Sequence, residues 1–232
     1  MSPDKAFYVN PLNVSGSKFQ LDKAESDHAN RVLRLKKSEV ICLLDGVGNG
    51  YYAKIDSIEK YVSGIIIKSI PDLGENVCSV SLASALIKRD RFELLLEKAT
   101  ELGVNEIQPL ILERCVKKTM NFDRSQKIVI SSAKQCLRSR FPLLHEPIDM
   151  KKLLKNSSGQ FISGLMDASK SLSELELDNN VTVIIGPEGD FTENEIGQMK
   201  NAGVLFFKLG GRRLRAETAA INSLAVLNEL FD

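Results

Sequence analysis

The sequence predicts an α/β fold with a largely parallel sheet, preceded by a small β-rich domain. Three observations carry this. From Val80 onward, apolar strand-like runs alternate with amphipathic helical stretches, the pattern of a parallel sheet covered by helices on both faces. Before that, from Phe7 to Ile70, strand-like runs follow one another with turn residues between them. Near the C-terminus, two apolar strands each end in a glycine-bearing loop, Gly186-Pro187-Glu188-Gly189 and Gly210-Gly211. Open α/β sheets bind ligands at the carboxyl ends of such neighbouring strands.

In the β-rich part, residues 40–44 and 51–58 read as strands. Between them lies Asp45-Gly46-Val47-Gly48-Asn49-Gly50. Its spacing is wrong for a dinucleotide fingerprint and no helix follows. Asp-Gly and Asn-Gly tolerate positive φ, so this is a turn. Residues 62–70 form a third strand and 71–76 a linker. The expectation is a small β-barrel-like domain over residues 1–72 and an α/β domain over 73–232.

In the second domain, residues 80–86 read as a strand. Residues 91–102 form a helix, with Phe92, Leu95, Leu96 and Ala99 at helical spacing and Gly103 ending it. Residues 106–112 are a strand and 126–137 a helix. Strands follow at 159–165 and 181–185. Thr192 caps a helix, with Glu195 completing a capping box, and Gly203 ends it. Residues 204–207 are the next strand. The last helix covers 217–230, with Ile221, Leu224, Leu227 and Leu230 forming one apolar row.

The 232 residues are 43% hydrophobic and 26% charged, the balance of a soluble globular protein with a real core. No apolar run is long enough to span a bilayer, and MSPDKAFYVN lacks a signal peptide's apolar core, which points to the cytoplasm and no membrane. Cys42, Cys78, Cys115 and Cys136 contain no CxxC pair, and the only histidines are His28 and His145. A metal site and a disulfide framework are both disfavoured; His28 reads as a surface or packing residue. With a net charge of +1, any nucleic-acid contact must come from local clusters rather than an overall basic field. Such clusters include Arg31, Arg34, Lys36 and Lys37, then Lys88, Arg89 and Arg91, then Arg212, Arg213 and Arg215. Taken singly, each also reads as a solvated face. Neither a Walker A sequence nor the glycine-rich loop of Rossmann methyltransferases is present.

The Pro-Glu-Gly loop reads either as an ordinary turn or as a ligand loop. Proline fixes φ there and glycine lets backbone approach a ligand. Glu188 disfavours a phosphate at that point. Arg212, Arg213 and Arg215 repel one another unless they meet anions. Glu217 is one candidate partner, for Arg215. The other reading is contact with RNA phosphate and stabilisation of an anionic base.

IIGPEGDFTENEI followed by LGGRRLRAETAA resembles the two signature segments of the ribosomal RNA small subunit methyltransferase E family. KRDRFELLLEKATELGVNEIQPLILERC, QCLRSR and HANRVLRLKKSEVICLLDGVGNGYYAKI match it in the same order, over nearly the whole chain. The resemblance implies a C-terminal SPOUT trefoil-knot α/β domain and an N-terminal PUA-like β-barrel that binds RNA. It implies a homodimer that transfers a methyl group from S-adenosylmethionine to N3 of one uridine in 16S rRNA of the small ribosomal subunit. The implied cofactor residues are Gly164, Leu165 and Met166; Ile185, Gly186, Pro187, Glu188 and Gly189; and Leu209, Gly210, Arg212, Leu214 and Arg215. Three positions depart from the family pattern, one of them Lys5, which stands where an arginine near the N-terminus is usual. Asp190 stands where glycine is usual, and Arg213 where an aliphatic residue is usual.

On this reading Arg215, with Arg138 or Arg140, stabilises charge on the uracil, and Glu217 is a candidate proton acceptor. Arg138 and Arg140 are candidates to come from the second subunit. Arg31, Arg34, Lys36, Lys37, Lys88, Arg89, Arg91, Arg212 and Arg213 are the expected RNA contacts. The rivals are an RNA-binding ribosome-assembly factor without catalysis, and a methyltransferase of the same class acting on tRNA or a ribose 2′-oxygen.

Overall fold

The computed structural model describes Pro3 and residues 5–156 and 159–231. The expected domain limits at Met1 and Asp232 lie outside them. The chain divides into two units, Met1–Glu75 with Ile130–Phe141, and Asn76–Val129 with Pro142–Asp232. Each is therefore discontinuous in sequence.

The first unit contains β1 (Ala6–Tyr8), β2 (Val14–Ser15), β3 (Lys18–Gln20), β4 (Val40–Leu44), β5 (Asn49–Ile58) and β6 (Val62–Pro71). They form one sheet in the order β1-β4-β5-β6-β3-β2. The pairings are antiparallel except β1 with β4. Alternate apolar residues, including Phe7, Phe19, Ile41, Leu43, Ala53 and Ile55, pack into one core. Edge strands β1 and β2 do not pair with each other among the described residues. The sheet is a half-barrel where a β-barrel-like domain is expected, because its two edge strands are left unpaired with each other.

The predicted turn at Asp45 is present. The Asp45 carboxylate accepts from the Val47 and Asn49 backbone N–H groups at 2.9 Å each, and Gly46 and Gly48 take positive φ. Helix α1 (Lys23–Asp27), continued by a π-helical stretch at His28–Val32, was not anticipated. Asp22 caps it through the Glu25 N–H at 2.8 Å. His28 packs edge-on against Phe7. The expected linker is pinned: Glu75 pairs with Arg138 at 2.7 Å, with side chains only 6% and 2% exposed, and accepts the Arg140 N–H at 2.8 Å.

The second unit contains β7 (Ser79–Ala85), α2 (Arg89–Glu101), β8 (Glu106–Leu110), β9 (Leu143–Leu144), α4 (Met150–Asn156), β10 (Gln160–Gly164), β11 (Asn180–Ile185), α5 (Glu193–Asn201), β12 (Leu205–Phe207) and α6 (Ala216–Phe231). Helix α3 (Phe122–Gln135) contributes residues to both units. The sheet order is β12-β10-β11-β7-β8-β9, with every pairing parallel. Its strands are apolar on both faces. Val80, Leu82, Val183 and Ile185 pack with residues of α2 and α6, whereas Ala83, Ala85 and Ile184 pack with residues of α4 and α5. This is the helix-covered parallel sheet that the alternation predicts.

Two helix ends follow the sequence signals. Gly103, at φ 85°, ends α2 while the Val104 N–H donates to the Ala99 carbonyl at 3.2 Å. Thr192 and Glu195 form a reciprocal capping box on α5. The apolar row of α6 differs from expectation. Ala216, Ala220, Leu224 and Leu227 are buried, whereas Ile221 is half-buried and Leu230 exposed. The alanines supply the close-packing face of α6, which lies against α2, β7 and β11.

Glu93 joins α2 to α3 by accepting from Arg89 at 2.8 Å and from Arg124 at 2.6 and 2.8 Å. Arg124, and then Arg89, hold its carboxyl down at about 2, below the ordinary 4.5. A depressed folded pKa means that the pairing stabilises the protein above pH 4.5 and is lost as pH falls towards 2. Glu93→Gln should therefore be less stable than the parent at neutral pH in urea denaturation, and the gap should shrink below pH 4.5. A gap that stays constant down the titration would count against this.

Candidate active site

Parallel register brings three strand ends level. Gly164 pairs with Phe207, and Ser163 with Ile184, so β10, β11 and β12 all stop at one edge of the sheet. The loops that leave them enclose a cavity of about 390 Å³. Gly164, Leu165 and Met166 come from the first loop. Ile185, Gly186, Pro187, Glu188, Asp190 and Phe191 come from the second. Leu209, Arg212, Arg213, Leu214 and Arg215 come from the third, with Ala216 and Ala219 from α6 and Arg91 from α2. Its size is that of a small-molecule site.

The second loop is tightly built. The Asp190 N–H donates to the Pro187 carbonyl at 3.0 Å, and the Asp190 carboxylate accepts the Phe191 N–H at 3.0 Å. Asp190 sits at φ 65°, in the left-handed region. Glycine would adopt this without cost, and aspartate is among the few side chains that tolerate it. At Gly186 a Cβ would come within 3.0 Å of the Phe191 ring, which itself lines the cavity. From outside, Arg114 donates to the Gly189 carbonyl at 2.9 Å and the Phe191 carbonyl at 3.3 Å. The buried Glu195 of the α5 cap accepts the Glu113 N–H at 2.9 Å. The segment after β8 thus clamps the loop that forms one wall.

Charged groups of both signs line the cavity. Arg91 lies between two carboxylates, at 3.6 Å from Glu188 and 3.7 Å from Glu217. Glu217 is buried, and its Oε2 has no hydrogen-bond partner among the described residues. Arg212, Arg213 and Arg215 are exposed, and none has a carboxylate within ion-pair distance among the described residues. Glu217 therefore pairs with Arg91 and not with Arg215, the partner considered from sequence. The cavity lining therefore holds Glu188 and Asp190 with Arg91, together with three guanidiniums of the third loop that have no ion-pair partner among the described residues, while Glu217 meets Arg91 without itself lining the cavity. Nearby, burial pushes the Cys115 thiol up and keeps it protonated.

Of the residues that the resemblance implies as cofactor contacts, all but Gly189 and Gly210 line the cavity. Gly189 is in the same loop, with its carbonyl held by Arg114. Gly210 is at φ 100° in the third loop and supplies its bend. Arg91 and Arg213, read as RNA contacts, also line it. Arg138 and Arg140 belong to the first unit and do not; Arg138 is buried on Glu75, and Arg140 pairs with Asp72 at 2.8 Å on the surface. Arg31, Arg34, Lys36 and Lys37 are exposed in the first unit, where Arg31 lies 3.5 Å from Asp27. Lys88 and Arg89 are exposed at the start of α2.

Sequence reasoning missed the structural parts played by Arg91 and Arg114. Arg91 is four residues before the buried Leu95, so it lies on the buried stripe of α2. A charge in phase with a core row is the signal that could have found it. Nothing local marks Arg114, because its acceptors are backbone carbonyls far along the chain.

The RNA methyltransferase domain family matches residues 74–228. The ribosomal RNA small subunit methyltransferase E of Rickettsia conorii is 31% identical over 94% of this chain and 92% of its own length. The chain belongs to the ribosomal RNA small subunit methyltransferase E family. The methyltransferase E of Neisseria gonorrhoeae, solved bound to S-adenosylmethionine, superposes with a TM-score of 0.90 at 30% identity, covering 100% of this chain and 98% of that one. A Legionella pneumophila protein in complex with the same cofactor gives 0.87 at 29% identity, over 99% and 98% of the two chains. Asp190 holds, at φ 65°, a backbone shape that glycine would also take.

A β-branched residue at that point should be strained. Asp190→Val should lower stability by about 1–2 kcal/mol, read from urea unfolding midpoints, whereas Asp190→Gly should stay within about 1 kcal/mol of the parent. Equal losses in the two variants would show that the side chain, not the left-handed backbone, decides the position.

Proposed function

We propose that this protein transfers the methyl group of S-adenosylmethionine to N3 of a uridine in 16S rRNA of the small ribosomal subunit. The observation that carries this is the cavity formed where the ends of β10, β11 and β12 meet, lined by carboxylates of the second loop and arginines of the third. The names and bound cofactor of the family relatives support it. The SPOUT trefoil knot, a PUA-like role for the first unit, a cytoplasmic site of action and a homodimer belong to the same reading.

The residues present fit the cofactor. Leu165, Ile185, Leu209 and Leu214 give an apolar lining for a flat base, and the turns at Gly186 and Gly210 let backbone come close to it. S-adenosylmethionine, when bound, supplies an electrophilic methyl on a positively charged sulfur. Glu188 and Asp190, the carboxylates of the lining, are the groups that favour that positive charge. The Glu217 oxygen without a partner offers a buried acceptor beside Arg91.

The exposed guanidiniums do the rest. Uracil N3 carries a proton and is a poor nucleophile until that proton leaves. Arg215 stabilises the charge then spread over N3 and its flanking oxygens, as an oxyanion hole does. Arg212 and Arg213 hold RNA phosphate. In a homodimer Arg140 of the partner subunit joins Arg215, since its surface ion pair with Asp72 costs little to release. Arg138, 2% exposed on Glu75, keeps that segment in shape. Glu217 is the candidate proton acceptor. Arg31, Arg34, Lys36 and Lys37 bind RNA away from the reacting base.

Calorimetry should detect binding of S-adenosylmethionine by the parent protein, and small subunits lacking the modification should gain one methyl at uridine N3, mapped by mass spectrometry. Methylated tRNA, or a methylated ribose, would redirect the assignment; no cofactor binding would favour a non-catalytic assembly factor. Arg215→Ala should lower kcat by about 10²-fold or more, measured with the cofactor saturating. Full turnover in that variant would remove Arg215 from the mechanism. Arg34→Ala should weaken RNA binding and flatten its salt dependence without changing which uridine is modified.

A further inference from the structure

A second cavity, of about 430 Å³, lies beside the first turns of α2 and α3. The first turn of α2 serves both cavities. Arg91 lines the one already described, while Arg89, Phe92 and Glu93 line the second. Arg124 of α3 and Lys117, on the segment between β8 and α3, complete a cationic rim.

The rim carries excess positive charge. Glu93 accepts from both Arg89 and Arg124, so one carboxylate faces two guanidiniums. Lys117 is exposed and has no carboxylate partner among the described residues. The two guanidiniums are held at fixed positions, yet 68% and 52% of their side-chain surface stays open. The apolar part of the lining, its floor, is Leu86, Ile87, Phe92 and Met120, of which only Met120 is half-buried and the others are buried, beside the polar Thr119, Asn121 and Ser125. A floor of this kind suits the flat face of a base, and the rim suits a phosphodiester. An acidic peptide would match the rim but leave the floor unused.

We propose that this cavity is a nucleotide subsite that holds RNA flanking the methylated base, with Lys117 and Arg124 on the phosphodiester; this rests on the methyltransferase reading above. The shared turn of α2 then couples the two sites. RNA seated on Arg89 and Arg124 bears on the same helical turn whose Arg91 ties Glu188 to Glu217.

The test uses the full chain and the variants Lys117→Gln and Arg124→Lys. The first removes an exposed charge with no ion-pair partner; the second keeps a cation for Glu93 but loses the planar fork. Binding of a fluorescein-labelled single-stranded RNA of mixed sequence is measured by anisotropy across a salt series. Each variant should bind about 3- to 10-fold more weakly, and Lys117→Gln should lower the salt slope by about 0.7, one single-strand phosphate contact. Calorimetric affinity for S-adenosylmethionine should be unchanged in both.

Unchanged RNA affinity and slope in both variants would overturn the subsite. So would competition by poly-glutamate as effective as by unlabelled RNA. Inorganic phosphate that displaces RNA from the parent far better than chloride of equal ionic strength, but not from the variants, would make free phosphate the ligand and also overturn it. Failure of the parent to methylate small subunits would sink the methyltransferase reading instead, because the subsite is judged on RNA affinity and slope alone.

Discussion

The register of β11 against its two parallel neighbours is the constraint on which the site depends. Because β10 and β7 pair with it in the same direction, and β12 pairs with β10, the loops that follow β10, β11 and β12 leave from one edge. Sliding β11 by one residue would exchange the residues on its two faces. Val183 and Ile185 pack with α2 and α6, while Ile184 packs with α4 and α5. Both faces are buried against different helices, so the register is fixed by packing on both sides, and the positions of the loops follow from it.

On that frame the charges are placed by unlike means. Arg91 is set by the buried stripe of α2, and it reaches both Glu188 in a loop and Glu217 at the start of α6. One guanidinium thus ties a turn to a helix, at separations slightly too long for direct hydrogen bonds. The arginines of the third loop lack such partners among the described residues. Three like charges within four positions cost repulsion in the free protein. That repulsion is relieved when an anion arrives, so this wall is arranged for a partner more than for stability.

Much of this was legible in the sequence. The strand–helix alternation gave the parallel sheet, because strands buried on both faces need apolar residues in every phase. Gly103 and Thr192–Glu195 marked helix ends through local hydrogen bonding, which acts over a few residues and is readable there. The two glycine-bearing loops drew attention to the correct edge, and the resemblance supplied the third. What escaped was long-range. Arg114 gripping Gly189 and Phe191, Arg138 buried on Glu75, and Glu217 turned towards Arg91 are contacts whose partners lie far along the chain or in another element. The helical stretch at residues 23–32 was hidden by its polar composition. The open sheet of the first unit went unforeseen because closure depends on long-range pairing of the first and last strands, which no local pattern records.

The first unit is assembled from two separate stretches, and Ile130–Phe141 supplies Arg138 to Glu75. Exchange of the leading residues between relatives, as a cassette cut at the apparent linker, would leave a desolvated carboxylate facing a foreign segment. Recombination in this lineage is therefore expected to respect the joint between Glu75 and Arg138, and the two stretches should travel together as one heritable block.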